Sequence, residues 1–171
     1  QARKLSWLGE GFAKISRMET GIISLKPEIQ PVLPVILEAV DQAALKAEQH
    51  GNDIRLKGDQ KLKACLDRRW TEEVFFNLLD NAIEACNASG NPDSEIRLSA
   101  NISNGFLTVY MHNTKNPMQT FTHKTTKSEP EAHGYGLSII EDICQSYNGS
   151  YQWIDHNDTF DSIVLLQIKN L

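Results

Sequence analysis

Five polar residues, Glu73, Asn77, Asp80, Asn81 and Glu84, recur at steps of three and four within the stretch TEEVFFNLLDNAIEA, residues 71–85. On a helix, such spacing gathers carboxylates and amides into one row. No Lys or Arg interrupts the row, whereas an ordinary solvated face carries cations for pairing. Oxygen donors without a counter-cation are what a hard, water-rich ion such as Mg²⁺ requires while it bridges to a phosphate. A solvent-exposed acidic helix face is the other reading of the same row.

A helix has to hold that row in place, and the stretch carries the signature of one. Phe75, Leu78, Ala82 and Ala85 form an apolar stripe at the same spacing. Thr71 is the expected N-cap, with Glu72 and Glu73 at the positive end of the helix dipole. Gly90 is expected to close the helix, and Pro92 cannot continue it.

Further polar groups follow downstream. An alternating strand, Phe106–His112, ends in HNTKNP, where the Asn113 side-chain oxygen can accept a hydrogen bond or simply serve a turn. Residues 114–133 form a loop of about twenty residues, longer than compact domains usually carry without purpose. It contains Lys115, Lys124 and Lys127 with several Thr and Ser, a composition that suits a lid over phosphates as well as a plain surface loop. The loop ends in HGYGLSII. Gly134 and Gly136 permit close backbone approach there, and a helix from about Leu137 points free N–H groups at any anion.

Taken in order, these segments resemble the nucleotide site of the GHKL ATPases, and specifically that of sensor histidine kinases. NLLDNAIEA, with Glu73 four residues before Asn77, resembles the N box. Phe121 followed by HKTTK (123–127) is similar to the F box, and Gly134-Tyr135-Gly136-Leu137-Ser138 has the order of the G2 box. Asn113 stands where the family has an adenine-binding Asp, and Lys115 and Pro117 stand where two glycines are expected. This departure resembles a subgroup of Gram-positive, often peptide-sensing kinases.

The resemblance implies an α+β fold, a two-layer sandwich with helices on one face of a mixed, mostly antiparallel sheet. It implies Glu73 and Asn77 as catalytic residues, with Asn77 the Mg²⁺ ligand and Glu73 polarising an accepting imidazole. It further implies ATP contacts from Asn77, Asn81, Glu84, Asn113, Lys115, Lys124, Thr126, Lys127, His133, Gly134, Tyr135, Gly136 and Leu137. The implied activity is transfer of the γ-phosphoryl of Mg·ATP to a histidine upstream of Gln1. The implied partners are the chain's own dimerisation and phosphoacceptor domain, within a homodimer, and a cognate response regulator. Another GHKL ATPase and a non-catalytic nucleotide-binding module are the alternatives.

Composition bounds these readings. The chain has 171 residues, is 40% hydrophobic and 23% charged, and carries a net charge of −5, which argues against nucleic-acid binding. Cys65, Cys86 and Cys144 lie far apart in apolar patterns, so buried thiols in a reducing cytoplasm are expected rather than zinc or disulfides. No apolar run reaches membrane-spanning length, so no membrane contact is expected of this segment, although the full protein is expected to be membrane-anchored. None of His50, His112, His123, His133 and His156 is followed by Glu or Asp, the context of the family's phosphoacceptor. His123 and His133 either contact phosphate or are solvated.

Two units are expected: residues 1–21 as the end of a dimerisation helix, with a seam at Leu5, Leu8, Phe12 and Ile15, and 22–171 as the catalytic domain. Within the second, a short strand before Pro31 leads to a helix that Pro34 opens. Two strands around residues 53–57 and 62–66 are expected to be joined by a turn at Gly58-Asp59. Strands 95–101 and 106–112 are expected to turn at Asn104-Gly105, and strands 150–154 and 162–169 close the chain.

Overall fold

The computed structural model describes residues 23–121 and 136–168. The helix expected over residues 1–21 lies outside this range. The chain runs β1 (Glu28–Pro31), α1 (Val32–Gln49), β2 (Asp53–Gly58), β3 (Lys63–Leu66), α2 (Arg68–Ser89), β4 (Glu95–Ser103), β5 (Phe106–Thr114), α3 (Gly136–Ser146), β6 (Ser150–Asp155) and β7 (Thr159–Gln167). Five strands form one mixed sheet in the order β2-β4-β5-β7-β6, and β1 and β3 pair separately. The helices cover one face of the five-stranded sheet, which is the expected α+β sandwich.

Helix α2 lies between α1 and α3 and crosses β4 and β5. Its buried surface is wider than the expected stripe and takes in Trp70, Val74, Phe75, Leu78, Leu79, Ala82, Ile83 and Cys86. A helix packed on a sheet and flanked by two others needs more than a narrow apolar seam. Below it, Ile96, Leu98, Val109, Met111, Val164 and Leu166 alternate along β4, β5 and β7 toward the helices.

The start of α2 differs from expectation. Asp67, not Thr71, is the N-cap, and its side chain accepts from Trp70 N at 3.1 Å and from Lys26 N at 2.8 Å. Thr71 lies a turn inside the helix and is fully buried, its hydroxyl 3.0 Å from Tyr147 Oη just beyond α3. Tyr147 Oη also accepts from Asp67 N at 2.6 Å, tying the end of α3 to the start of α2. The other end is as expected, with Gly90 in the left-handed region at φ 64°.

Strands β2 and β3 do not form a hairpin. β2 pairs in parallel with β4, and β3 pairs with β1. A parallel pair needs a long crossover, which β3 and α2 supply. The β4–β5 hairpin does turn at Asn104-Gly105, both with positive φ (53° and 77°), the two-residue turn that matches strand twist.

Candidate functional site

The site is built on the middle of α2. Asn77 Nδ2 donates to the carbonyl of Glu73 at 2.7 Å and to Glu73 Oε1 at 3.0 Å, which fixes the amide and leaves Oδ1 facing the start of α3. There, a Cβ built on Gly136 would lie 3.2 Å from Asn77 Oδ1 and 3.4 Å from Asn81 Nδ2. The first described turn of α3, at the positive end of the helix dipole, thus abuts two side-chain amides. Asn81 Nδ2 is buried and has no hydrogen-bond partner among the described residues. A buried donor without a described partner, a helix start and an oriented carbonyl oxygen are the parts of an anion and cation site.

The rest of the polar row turns the other way. Lys46 Nζ, on α1, sits 2.5 Å from Asp80 Oδ1 and 2.8 Å from Glu84 Oε1. Burial works against the Lys46 charge, but the hydrogen bonds to the two carboxylates outweigh it and raise its pKa. The expectation of a cation-free row is therefore corrected. The counter-cation for Asp80 and Glu84 comes from the neighbouring helix, a pairing that spacing within α2 could not reveal. Arg68–Glu38 and Gln42–Glu72 span the same helix pair nearer the start of α2.

Asn113 ends the inward row of β5 and is 3% exposed. Its Nδ2 donates to the Thr114 carbonyl at 2.9 Å, which leaves Oδ1 as the acceptor. Thr114 in turn ties this strand end to the sheet and to α2, its hydroxyl accepting from Glu95 N and its carbonyl from Cys86 Sγ. Lys115 is also buried. Its ammonium lies 3.1 Å from Asp155 Oδ1 and donates to the carbonyls of Asn116 (3.1 Å), Gln119 (2.5 Å) and Asn157 (3.3 Å). Its donors are spent on the protein, at the root of the loop.

Asp155, which nothing local in the sequence marks, also accepts from Phe121 N at 2.7 Å. That bond first, joined by the Lys115 ammonium, outweighs the cost of burial and holds its carboxyl below the usual range. Leu137 packs partly against the core behind Gly136. Lys124, Thr126, Lys127, His133, Gly134 and Tyr135 lie outside the described residues.

No group of His, Cys, Asp and Glu among the described residues has metal-site geometry. His112 and His156 instead flank Asp161 on the outer face of the sheet, at 2.6 and 3.0 Å. Burial pushes the Cys144 thiol up to about 12 and raises that of Cys86, while Cys65 is only half-buried. Two cavities, of about 320 Å³ between α1 and β2 and about 490 Å³ beside the β4–β5 turn, are lined by none of the candidate residues.

Residues 71–169 match the model of the GHKL domain family, more than half of the chain, and the chain belongs to this family. Among solved structures, the histidine kinase AdeS of Acinetobacter baumannii is similar with a TM-score of 0.71 at 18% identity, covering 99% of this chain and 81% of that one. The catalytic domain of histidine kinase ThkA, nucleotide-free, gives 0.69 at 20% identity over 83% of this chain and 95% of that one. A histidine kinase from Burkholderia phymatum STM815 gives 0.70 at 14% identity, over 99% and 85%. At these identities the likeness is one of fold. No curated protein sequence matches the chain.

Proposed function

We propose that this chain is the ATP-binding catalytic domain of a sensor histidine kinase. The observation that carries the reading is the meeting of Asn77 and Asn81 with the start of α3 at Gly136, where an unpaired amide donor faces a helix N-terminus. Phosphate oxygens complement both.

The residues present fit a divalent cation. Asn77 has its nitrogen tied to Glu73 and only its oxygen to offer, and one protein oxygen beside phosphates is the usual holding of Mg²⁺. Such an ion supplies neutralisation of phosphate charge. Asn81 Nδ2 and the first N–H groups of α3 bind phosphate, and the family resemblance assigns Lys127, outside the described residues, to the same group. Asn113 Oδ1 accepts from the adenine amino group. Glu73, beside Asn77, polarises the imidazole of the acceptor histidine, on the dimerisation domain, and catalysis is positioning and charge compensation.

The homodimer, the upstream dimerisation helix and a cognate response regulator belong to the same proposal. A cytoplasmic location belongs to the same reading; no helix among the described residues is long and apolar enough to cross a membrane.

The test is calorimetric titration of the wild type, Asn77→Ala and Asn77→Asp with a non-hydrolysable ATP analogue, with and without Mg²⁺. Both variants are expected to lose about tenfold or more of Mg²⁺-dependent affinity while melting near the wild type. Unchanged affinity in both would remove Asn77 from the site. In a separate incubation with ATP itself, release of inorganic phosphate with no transfer to a supplied histidine domain would favour another GHKL ATPase.

A further inference from the structure

Lys115 stands where the family resemblance leads one to expect a flexible glycine, yet it is 8% exposed and every donor of its ammonium is engaged. A buried charge is costly to desolvate, and a methionine of the same length would fill the space without that cost. What the charge provides is direction. Its partners, the Asn116 and Gln119 carbonyls on one side and Asp155 and Asn157 on the other, belong to two separate segments. One is the stretch after β5; the other is the end of β6 and the turn that leads into β7. The Lys115 backbone N–H donates into that same turn, to the Asp158 carbonyl at 2.8 Å.

The two segments meet beside Asn113. In the sheet register Asn113 of β5 stands opposite Phe160 of β7, and Phe160 stands opposite Asp155 of β6. Directly paired residues share a face, so the three form one row on the helix side. Asp155 holds Phe121 through its backbone N–H, and the Phe121 ring lies 4.8 Å from that of Phe160. Asn116 reaches the far side, its Nδ2 donating to the Ala88 carbonyl of α2 at 3.3 Å. The result is a wall of two aromatic rings and a polar clamp next to the one buried amide of β5.

We propose that Lys115 is a positioning residue for the base end of the nucleotide site. Through Asp155 it clamps residues 115–121 so that the Phe121–Phe160 wall beside Asn113 is formed before nucleotide arrives. The inference rests on the adenine-nucleotide reading above and adds a base-side support that acts through Asn113 and the aromatic pair. A pre-formed wall spares the ligand the ordering of an irregular segment, so its loss weakens the base contribution to binding and leaves the phosphate contribution alone.

The test compares wild type, Lys115→Met, Asp155→Asn and the double variant by competition against a fluorescent ATP analogue. The competitors are ATP, adenosine and inorganic tripolyphosphate, and circular dichroism melts accompany each protein. Each single variant is expected to lose affinity for ATP and for adenosine by the same factor, about tenfold, with tripolyphosphate unaffected. The double variant is expected to lose no more than either single one, because the two residues form one clamp. If Lys115→Met does not fold, Asp155→Asn carries the comparison, since it keeps an acceptor for Phe121 N–H. Equal ATP and adenosine affinity in variants and wild type, with only the melt lowered, overturns the inference and leaves the nucleotide site standing. Loss confined to ATP and tripolyphosphate also overturns it, by moving Lys115 to the phosphate end. A wild type that binds none of the three removes both readings.

Discussion

At Gly136 a single hydrogen atom decides how close α3 comes to the amides of α2. A methyl group there would press on Asn77 Oδ1 at 3.2 Å and on Asn81 Nδ2 at 3.4 Å, with no slack to take it up because Asn77 is already bonded to Glu73. Gly136→Ala is therefore expected to reduce affinity for an ATP analogue about tenfold in calorimetric titration. It should also lower the melting temperature slightly, since the crowded amides have no slack and Gly136 stands at the first helical position, where the interior preference for Ala is not gained. The residue types at this site were legible because they sit at helical spacing on one segment. Asp80 and Glu84 were misread for the complementary reason: their cation, Lys46, is 34 and 38 residues away and arrives by packing.

The elements hold the site through their ends. Asp67 caps α2 and also accepts from Lys26 N, so Asp67→Ala removes two acceptors from backbone donors. A loss of about 1–2 kcal/mol in urea unfolding is expected, with Thr71→Ala, the cap that spacing favours, lowering stability through Tyr147 instead. Thr71 reads as the cap because it precedes an acidic first turn, whereas the helix begins at Arg68 behind Asp67, an equally good cap whose first turn carries two arginines that the dipole disfavours.

On the sheet's outer face, Asp161 joins β7 to β5 through His112 and to the β6–β7 turn through His156. Burial raises its pKa, but hydrogen bonds from His112, His156 and Tyr110 outweigh that and bring it below 3.8. A lowered carboxylate pKa stabilises the fold above the unfolded value and is lost as pH falls through the folded one. Urea titrations are expected to show stability falling as pH drops below about 4, and Asp161→Asn to flatten that slope by less than about 1 kcal/mol, given its solvent access.

For the molecule as a whole, the hairpin at Asn104-Gly105, the Gly90 stop and the sandwich architecture were readable because each is written in a few adjacent residues. Pairing of β2 with β4 and of β3 with β1 was not, because alternation shows that a strand exists and not which neighbour it takes. The histidines bear on function at this scale. His112 and His156 are held by Asp161, and His50 caps the end of α1, outside any His-Glu or His-Asp context. Incubation with γ-labelled ATP is expected to leave this chain without acid-labile label, and to label a supplied dimerisation domain that carries its histidine. Label on the chain alone would contradict the assignment of the acceptor to another domain.

The parallel pairing of β2 with β4 also orders events in time. The hairpins β4–β5 and β6–β7 join neighbours in sequence, and both can close within their own loops. β2 has no sheet to join until the chain has passed through β3 and α2 and laid down β4, some forty residues later by the Asp53↔Glu95 register. The β5–β7 pairing spans more chain still, 47 residues at Asn113↔Phe160, so both non-local pairings are expected to close after the two hairpins. A ligand at Asn77, Asn81 and Asn113 touches α2 and β5, which contact each other directly, and not β2 at the sheet edge.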